Sequence, residues 1–235
     1  MAVGASRPAV VTAVVALVVT VLVLASAVLL RLQRDPMNAA GQLGPPAAAA
    51  GSADLTCGES PCGVLTSLPV GEVTVELLAG DGGEHGIVRV LAPGSDIVLE
   101  TALADLGAEL TQRSLVCTEG DTTACLVRGA RDDAVVGEVF VARDDKWEAV
   151  ERPYVSNAGY LDLVPTTGHD SPGIVLATYP NCTGSADDCD GAAVALRIFA
   201  LDGTSRGCTK GYPTLSDLPD WPDINVNGGE LRSCG

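Results

Sequence analysis

Along the chain the apolar positions change period twice, and the elements follow from those changes. From Ala9 to Leu30 there is no charge in 22 residues, and only Thr12, Thr20 and Ser26 interrupt the apolar run. At about 1.5 Å per residue such a helix reaches roughly 33 Å, enough for a hydrocarbon core of about 30 Å. The pattern therefore predicts a cytoplasmic tail over 1–8 and a single transmembrane helix over 9–30. Ala25-Ser26-Ala27 offers the alternative of a cleaved secretory signal, but the run continues through Val28, Leu29 and Leu30 and exceeds the usual signal core of about 7–15 residues. From 31 to 53 the chain turns to Ala, Gly and Pro with no periodicity, which reads as a linker.

Beyond 54 the period shortens to two. Val70-Gly71-Glu72-Val73-Thr74-Val75 and Val136-Gly137-Glu138-Val139-Phe140-Val141 agree at five of six positions, and Val194–Phe199 keeps the alternation. Arg143-Asp144-Asp145 and Leu201-Asp202-Gly203 follow two of these segments as hairpin signals. A close cysteine pair precedes each segment: Cys57 and Cys62, Cys117 and Cys125, Cys182 and Cys189. Three antiparallel β units of about 60 residues each are expected over 54–235, in a propeller-like or sandwich-like arrangement. Further strands are expected at Ile87–Leu91, Arg113–Cys117, Cys125–Arg128, Tyr160–Val164 and Ile174–Tyr179. The stretch Ser95–Leu110 carries two readings. Leu99, Leu103, Leu106 and Leu110 form a helical stripe capped by Ser95 or Asp96, while Ile97-Val98-Leu99 suits a strand.

At Val164-Pro165-Thr166-Thr167-Gly168-His169-Asp170-Ser171-Pro172-Gly173-Ile174-Val175 the order of strand, polar glycine loop, proline and apolar strand resembles the FG-GAP repeats of integrin-type propellers. The resemblance implies blade-like β architecture. In that family alternating loop aspartates bind calcium; here the matching positions hold Pro165, Thr167 and His169, so no calcium site is implied.

Cysteine number settles the compartment. Eight cysteines, all after the apolar run, read as a disulfide framework formed in an oxidising space. The expected pairs are Cys57–Cys62, Cys117–Cys125, Cys182–Cys189 and Cys208–Cys234, which places the domain outside the cytoplasm, anchored to the cell membrane or, after cleavage near Ala27, secreted. Net charge is -16, and removing Arg7, Arg31, Arg34 and Asp35 leaves 11 basic and 29 acidic residues, a net -18. Nucleic acid would be repelled by that field.

Candidate chemistry is sparse. The two histidines, His85 and His169, lie in Gly-rich turns, and no G-x-S-x-G elbow exists for a Ser/His/Asp hydrolase. Spacings of four, seven and six residues within the cysteine pairs do not suit zinc. The acidic loop at Asp187, Asp188 and Asp190 lacks the ordered spacing of a calcium hand. Asn181-Cys182-Thr183 is a glycan sequon, significant only in a eukaryotic secretory route. No metal or other cofactor is expected. Trp221, in Leu218-Pro219-Asp220-Trp221-Pro222, and Tyr212 supply the aromatic character that a binding surface needs. The same segment also reads as a lid pinned by Cys208 and Cys234. The expectation is a non-catalytic binding or envelope-structural module with an unidentified envelope or protein partner; the alternative is a hydrolase using His169.

Overall fold

The computed structural model describes residues 55–144, 146–150, 152–182, 187–189 and 191–234. The expected tail, membrane helix and linker lie outside these residues, as do Asp145, Thr183 and Asp190. Among the described residues no helix is long and apolar enough to cross a membrane.

The chain builds antiparallel sheets in succession. A two-stranded hairpin of β1 (Thr56–Cys57) and β2 (Ser60–Pro61) comes first. It is followed by a four-stranded sheet of β3 (Gly63–Val70), β4 (Val73–Ala79), β5 (Ile87–Ala92) and β6 (Ser95–Glu100), each paired with the next. The second sheet holds β7 (Leu115–Thr118), β8 (Ala124–Arg131), β9 (Ala134–Arg143) and β10 (Lys146–Ala149), with β11 (Tyr154–Ser156) sharing the edge of β9. The third is ordered β12 (Leu161–Val164), β14 (Gly173–Thr178), β15 (Ala195–Phe199) and β16 (Ser205–Cys208). The short β13 (Thr166–Thr167) runs parallel to β17 (Val226–Asn227) of the carboxy-terminal segment.

The sheets pack face to face, and alternation along each strand decides which neighbour a side chain meets. Val75, Leu77, Val88 and Val90 of the first sheet meet Cys125, Val127 and Phe140 of the second in one core. The intervening residues Leu126, Val139 and Val141 meet Leu161, Leu163, Ile174 and Phe199 of the third. The middle sheet is thus buried on both faces, so β8 and β9 read as nearly continuous apolar runs. The outer face of the third sheet, with Val175, Ala177, Leu196 and Ile198, is covered by a carboxy-terminal strap through Leu218, Ile224 and Val226.

The structure decides between the two readings of Ser95–Leu110 and corrects one expectation. Ser95–Glu100 is an edge strand and not the start of a helix: it pairs with β5 at six positions, turning Ile97 and Leu99 toward the first core and leaving Val98 41% exposed. Arg89 on β5 reinforces the pairing with a two-point contact to Asp96, Nε to Oδ1 at 3.0 Å and Nη2 to Oδ2 at 2.6 Å. That contact holds the Asp96 carboxyl below its usual range. Of the leucines that completed the helical stripe, Leu103 and Leu106 fall in turns and Leu110 in irregular chain; Leu103 is fully buried.

The correction concerns the matching hexapeptides. Val70 and Val73 face each other across a two-residue turn, so the first copy closes the β3–β4 hairpin. Gly71 there has φ +58°, a conformation that glycine adopts without steric cost. The second copy lies inside β9, where a Cβ on Gly137 would come within 2.5 Å of Leu161 Cδ2 and 2.9 Å of Leu126 Cδ1. One glycine turns the chain; the other lets two layers approach.

Four disulfides join Cys57–Cys62, Cys117–Cys125, Cys182–Cys189 and Cys208–Cys234, the pairs that spacing singled out, and no cysteine is free. The first clips the β1–β2 hairpin, the second staples β7 to β8 at opposed positions, and the fourth ties the strap to β16.

Candidate functional site

The strap between Cys208 and Cys234 is held at successive points. A 3-10 turn at Leu215–Asp217 is closed by Thr214, whose backbone N–H and hydroxyl both donate to Asp217 Oδ2, at 3.0 and 2.8 Å. Leu218 and Ile224 then plug into the outer core with 3% and 6% exposure. Between these two anchors the chain lifts away through Asp220, at φ +60°, and presents Trp221 at the surface with 37% exposure. The Trp221–Pro222 bond is cis.

Trp221 does not stand alone. Its ring packs against Tyr160, just before β12, with centroids 5.6 Å apart and planes at 57°. Such tilted aromatic pairs are favourable beyond their buried area. Tyr160 is positioned in turn by its backbone N–H, which donates to Ser156 Oγ at 3.0 Å. Burial, joined by the Asp162 carboxylate, pushes the Tyr160 phenol from 10.0 up to about 12; Arg128 opposes the rise and Asp223 adds to it. A groove of about 370 Å³ opens beside the pair, lined by Tyr160, Asp162, Pro165, Pro222, Asp223 and Asn225. Asp162 is held there by an ion pair with Arg128 at 2.9 Å and by a hydrogen bond from the Leu163 N–H.

Of the two aromatics expected to form a surface, only Trp221 is well exposed. Tyr212 is half-buried against the outer core, its backbone bridged to Val194 in both directions at 2.8 Å and its ring 5.2 Å from Lys210 Nζ. No ring contact joins Tyr212 to Trp221 among the described residues. Tyr160, Asp162, Asp223 and Asn225 were not singled out by sequence, because nothing in the chain marks positions 160 and 221 as neighbours.

Neither histidine sits in a catalytic arrangement among the described residues. His85 and His169 are both exposed, and their rings lie beside Gly58 and Gly228. Among the described residues no hydrogen bond joins either imidazole to Ser171, Asp170 or another carboxylate. Ser171 serves Arg206 instead, accepting at Oγ from Nη2 at 3.1 Å. Around Asp187–Cys189 the chain forms one 3-10 turn, and no group of three or more metal-binding side chains is found among the described residues.

A second groove, of about 520 Å³, lies where the second and third sheets meet, but its arginines act as struts. Arg143 bonds Glu148 Oε1 at 2.6 Å and the Leu201 carbonyl at 3.2 Å, and Arg152 donates to the Gly203 carbonyl at 2.9 Å. Arg128 likewise donates to the Leu161 carbonyl. Three guanidinium groups of the second sheet and its following loop thus each satisfy a carbonyl of the third. Comparison with family models, with curated proteins and with solved structures returns no match.

Proposed function

We propose that the chain is a membrane-anchored, extracytoplasmic, non-catalytic binding module whose contact surface is the Trp221–Tyr160 pair with its adjoining groove. The observation that carries this reading is the mounting of Trp221. A large aromatic ring is kept at the surface by buried anchors three residues to either side and by a second ring beneath it. A groove bearing the side chains of Asp162, Asp223 and Asn225 adjoins it. An apolar face beside fixed hydrogen-bonding groups suits a polar ligand with one flat apolar side, such as an uncharged saccharide unit of the envelope.

The compartment in this reading is supported by the four disulfides, which persist in oxidising surroundings. The anchor is supported by the apolar run over 9–30. The blade-like division into three units belongs to the same proposal, and three successive antiparallel sheets favour it. Within them, the second and third alternating segments both supply the third strand of a sheet, β9 and β15.

The test is co-sedimentation of the full-length chain with isolated envelope polysaccharide, comparing wild type with Trp221→Ala and Tyr160→Ala. Losing the platform should weaken binding about tenfold, equivalent to about 1.4 kcal/mol. Variants that keep the fold and co-sediment as well as wild type would remove Trp221 from the contact surface.

A further inference from the structure

The largest of these concavities, about 690 Å³, lies away from Trp221, between β11 of the second sheet and the β14–β15–β16 face of the third. Its size falls in the range of small-molecule sites, about 300–1,000 Å³. The floor is formed by small residues, Ala193, Ala195 and Gly211, which leave the space open. Two arginines, Arg197 and Arg232, line it, and among the described residues no Asp or Glu does. In a chain with 30 acidic and 14 basic residues, that local reversal of sign is a specific feature.

The ladder explains how two residues 35 positions apart come together. Arg197 lies opposite Cys208 in the β15–β16 pair, and Cys208 lies opposite Arg232 of the strap. Directly opposed residues of antiparallel strands project to the same face. Arg197, Cys208 and Arg232 therefore form one row, with the arginine backbones about 10 Å apart at the usual strand spacing and the disulfide between them. Cys234, two residues beyond Arg232, closes onto Cys208 and fixes the strap in this register.

Both guanidinium groups keep donors to spare. Arg197 lies 5.6 Å from the Phe199 ring centroid, and Arg232 donates through Nε to the Thr209 carbonyl at 3.3 Å, which leaves its terminal nitrogens unengaged by that bond. Neither forms an ion pair among the described residues, whereas Arg89, Arg128 and Arg143 do. Thr178 also lines the cleft, and its Oγ1 is shielded from solvent with no hydrogen-bond partner among the described residues. Asn157 accepts from the Tyr179 N–H at 3.0 Å, which fixes its amide at the rim.

We propose that this cleft is a binding site for a small organic oxyanion, a carboxylate or phosphate ester, clamped between Arg197 and Arg232. Guanidinium forks bind either group through paired, charge-assisted hydrogen bonds. The amide of Asn157, which also lines the cleft, is then available to the polar body that carries the charge. The site is separate from the Trp221 groove and does not rest on that assignment.

The experiment is calorimetric titration of the full-length chain with glucuronate in one arm, glycerol 1-phosphate in a second and inorganic phosphate in a third. Binding of at least one organic probe, at a dissociation constant below about 1 mM, is expected. The organic arm that binds identifies the anion, and stronger binding of inorganic phosphate than of both organic probes would overturn the claim of an organic ligand. Arg197→Gln and Arg232→Gln should each weaken the binding about tenfold, while Trp221→Ala should leave it unchanged. Cys208→Ser with Cys234→Ser provides a second line: the paired backbone bonds between Cys208 and Arg232 hold both arginines in register without the disulfide, so binding should be retained. Folding of every variant is checked by circular dichroism. Folded wild-type protein that binds none of the probes, or folded arginine variants that bind like wild type, would overturn the proposal.

Discussion

Replacing Cys208 and Cys234 by serine opens the longest covalent ring in the described domain, and its cost can be set against that of the shortest. The paired cysteines are 26 positions apart in the strap and 5 apart in the β1–β2 hairpin. Loop-closure entropy values these cross-links at about 3.5 and about 2.2 kcal/mol, acting through the unfolded chain. The strap also keeps noncovalent attachments when the bond is gone: the Cys208 N–H donates to the Arg232 carbonyl at 2.8 Å, and Leu218, Ile224 and Val226 remain plugged into the third sheet. The native state therefore changes little, and the loss is felt in the unfolded ensemble. Urea unfolding of the full-length chain should show the strap variant about 1.3 kcal/mol less stable than Cys57→Ser with Cys62→Ser. The two tryptophans divide the measurement, because Trp147 reports the second sheet and Trp221 the strap. With Trp221→Phe and Trp147→Phe backgrounds, both probes should follow one transition. Equal costs for the two disulfides, or a Trp221 signal lost well before that of Trp147, would refute the reasoning; the latter would mean that covalent closure holds the strap and packing does not.

Leu126→Ala removes a fully buried side chain between the second and third sheets and should cost about 3–4 kcal/mol in the same assay. Glu138, buried by the first and second sheets, accepts a hydrogen bond from the Ala102 N–H at 3.0 Å; desolvation raises its carboxyl pKa, and that hydrogen bond opposes the rise. The folded state thus holds the Glu138 proton more tightly than the unfolded one, so this group reduces stability as pH rises through the carboxylate range. Glu138→Gln keeps an acceptor without the charge, and its melting temperature should match wild type in acid and exceed it at neutral pH. Tyr160 has the same sign at the alkaline end: its contribution is intact below pH 10.0 and fades as pH climbs toward about 12, so Tyr160→Phe should flatten that limb of the stability curve. His169→Ala, in an exposed turn, should change stability by no more than about 0.5 kcal/mol and leave a cellular phenotype intact; a folded variant behaving like a deletion would restore the hydrolase reading.

Strand positions were legible where a sheet is buried on both faces. Cys125–Val127 and Ile174–Ala177 are unbroken apolar stretches because each strand has a layer above and below it. Legibility failed where one pattern served two geometries. Val-Gly-Glu-Val closes a turn at position 70 and runs through a strand at 136, because a glycine suits both a positive φ and a close interlayer contact. The leucines of Leu99–Leu110 sit at helical spacing, yet Leu99 belongs to an edge strand and Leu103 to a turn. The disulfides were readable because close cysteines leave little choice of partner. The arginine row was invisible for the opposite reason: Arg197 and Arg232 meet only through the register of two strand pairs and the bond at Cys208.

The order of the cystines has a consequence for biogenesis. Every disulfide joins a cysteine to the next one along the chain, with no bond enclosing or crossing another. If an oxidant meets the cysteines in the order of synthesis, coupling each newcomer to the thiol just before it yields the native set directly. Of the 105 pairings open to eight cysteines, this is the one that nearest-neighbour oxidation selects. The successive sheets follow the same order, so each layer can settle on the one made before it. Maturation of this domain therefore calls for an oxidant but not for an isomerase to correct long-range mistakes.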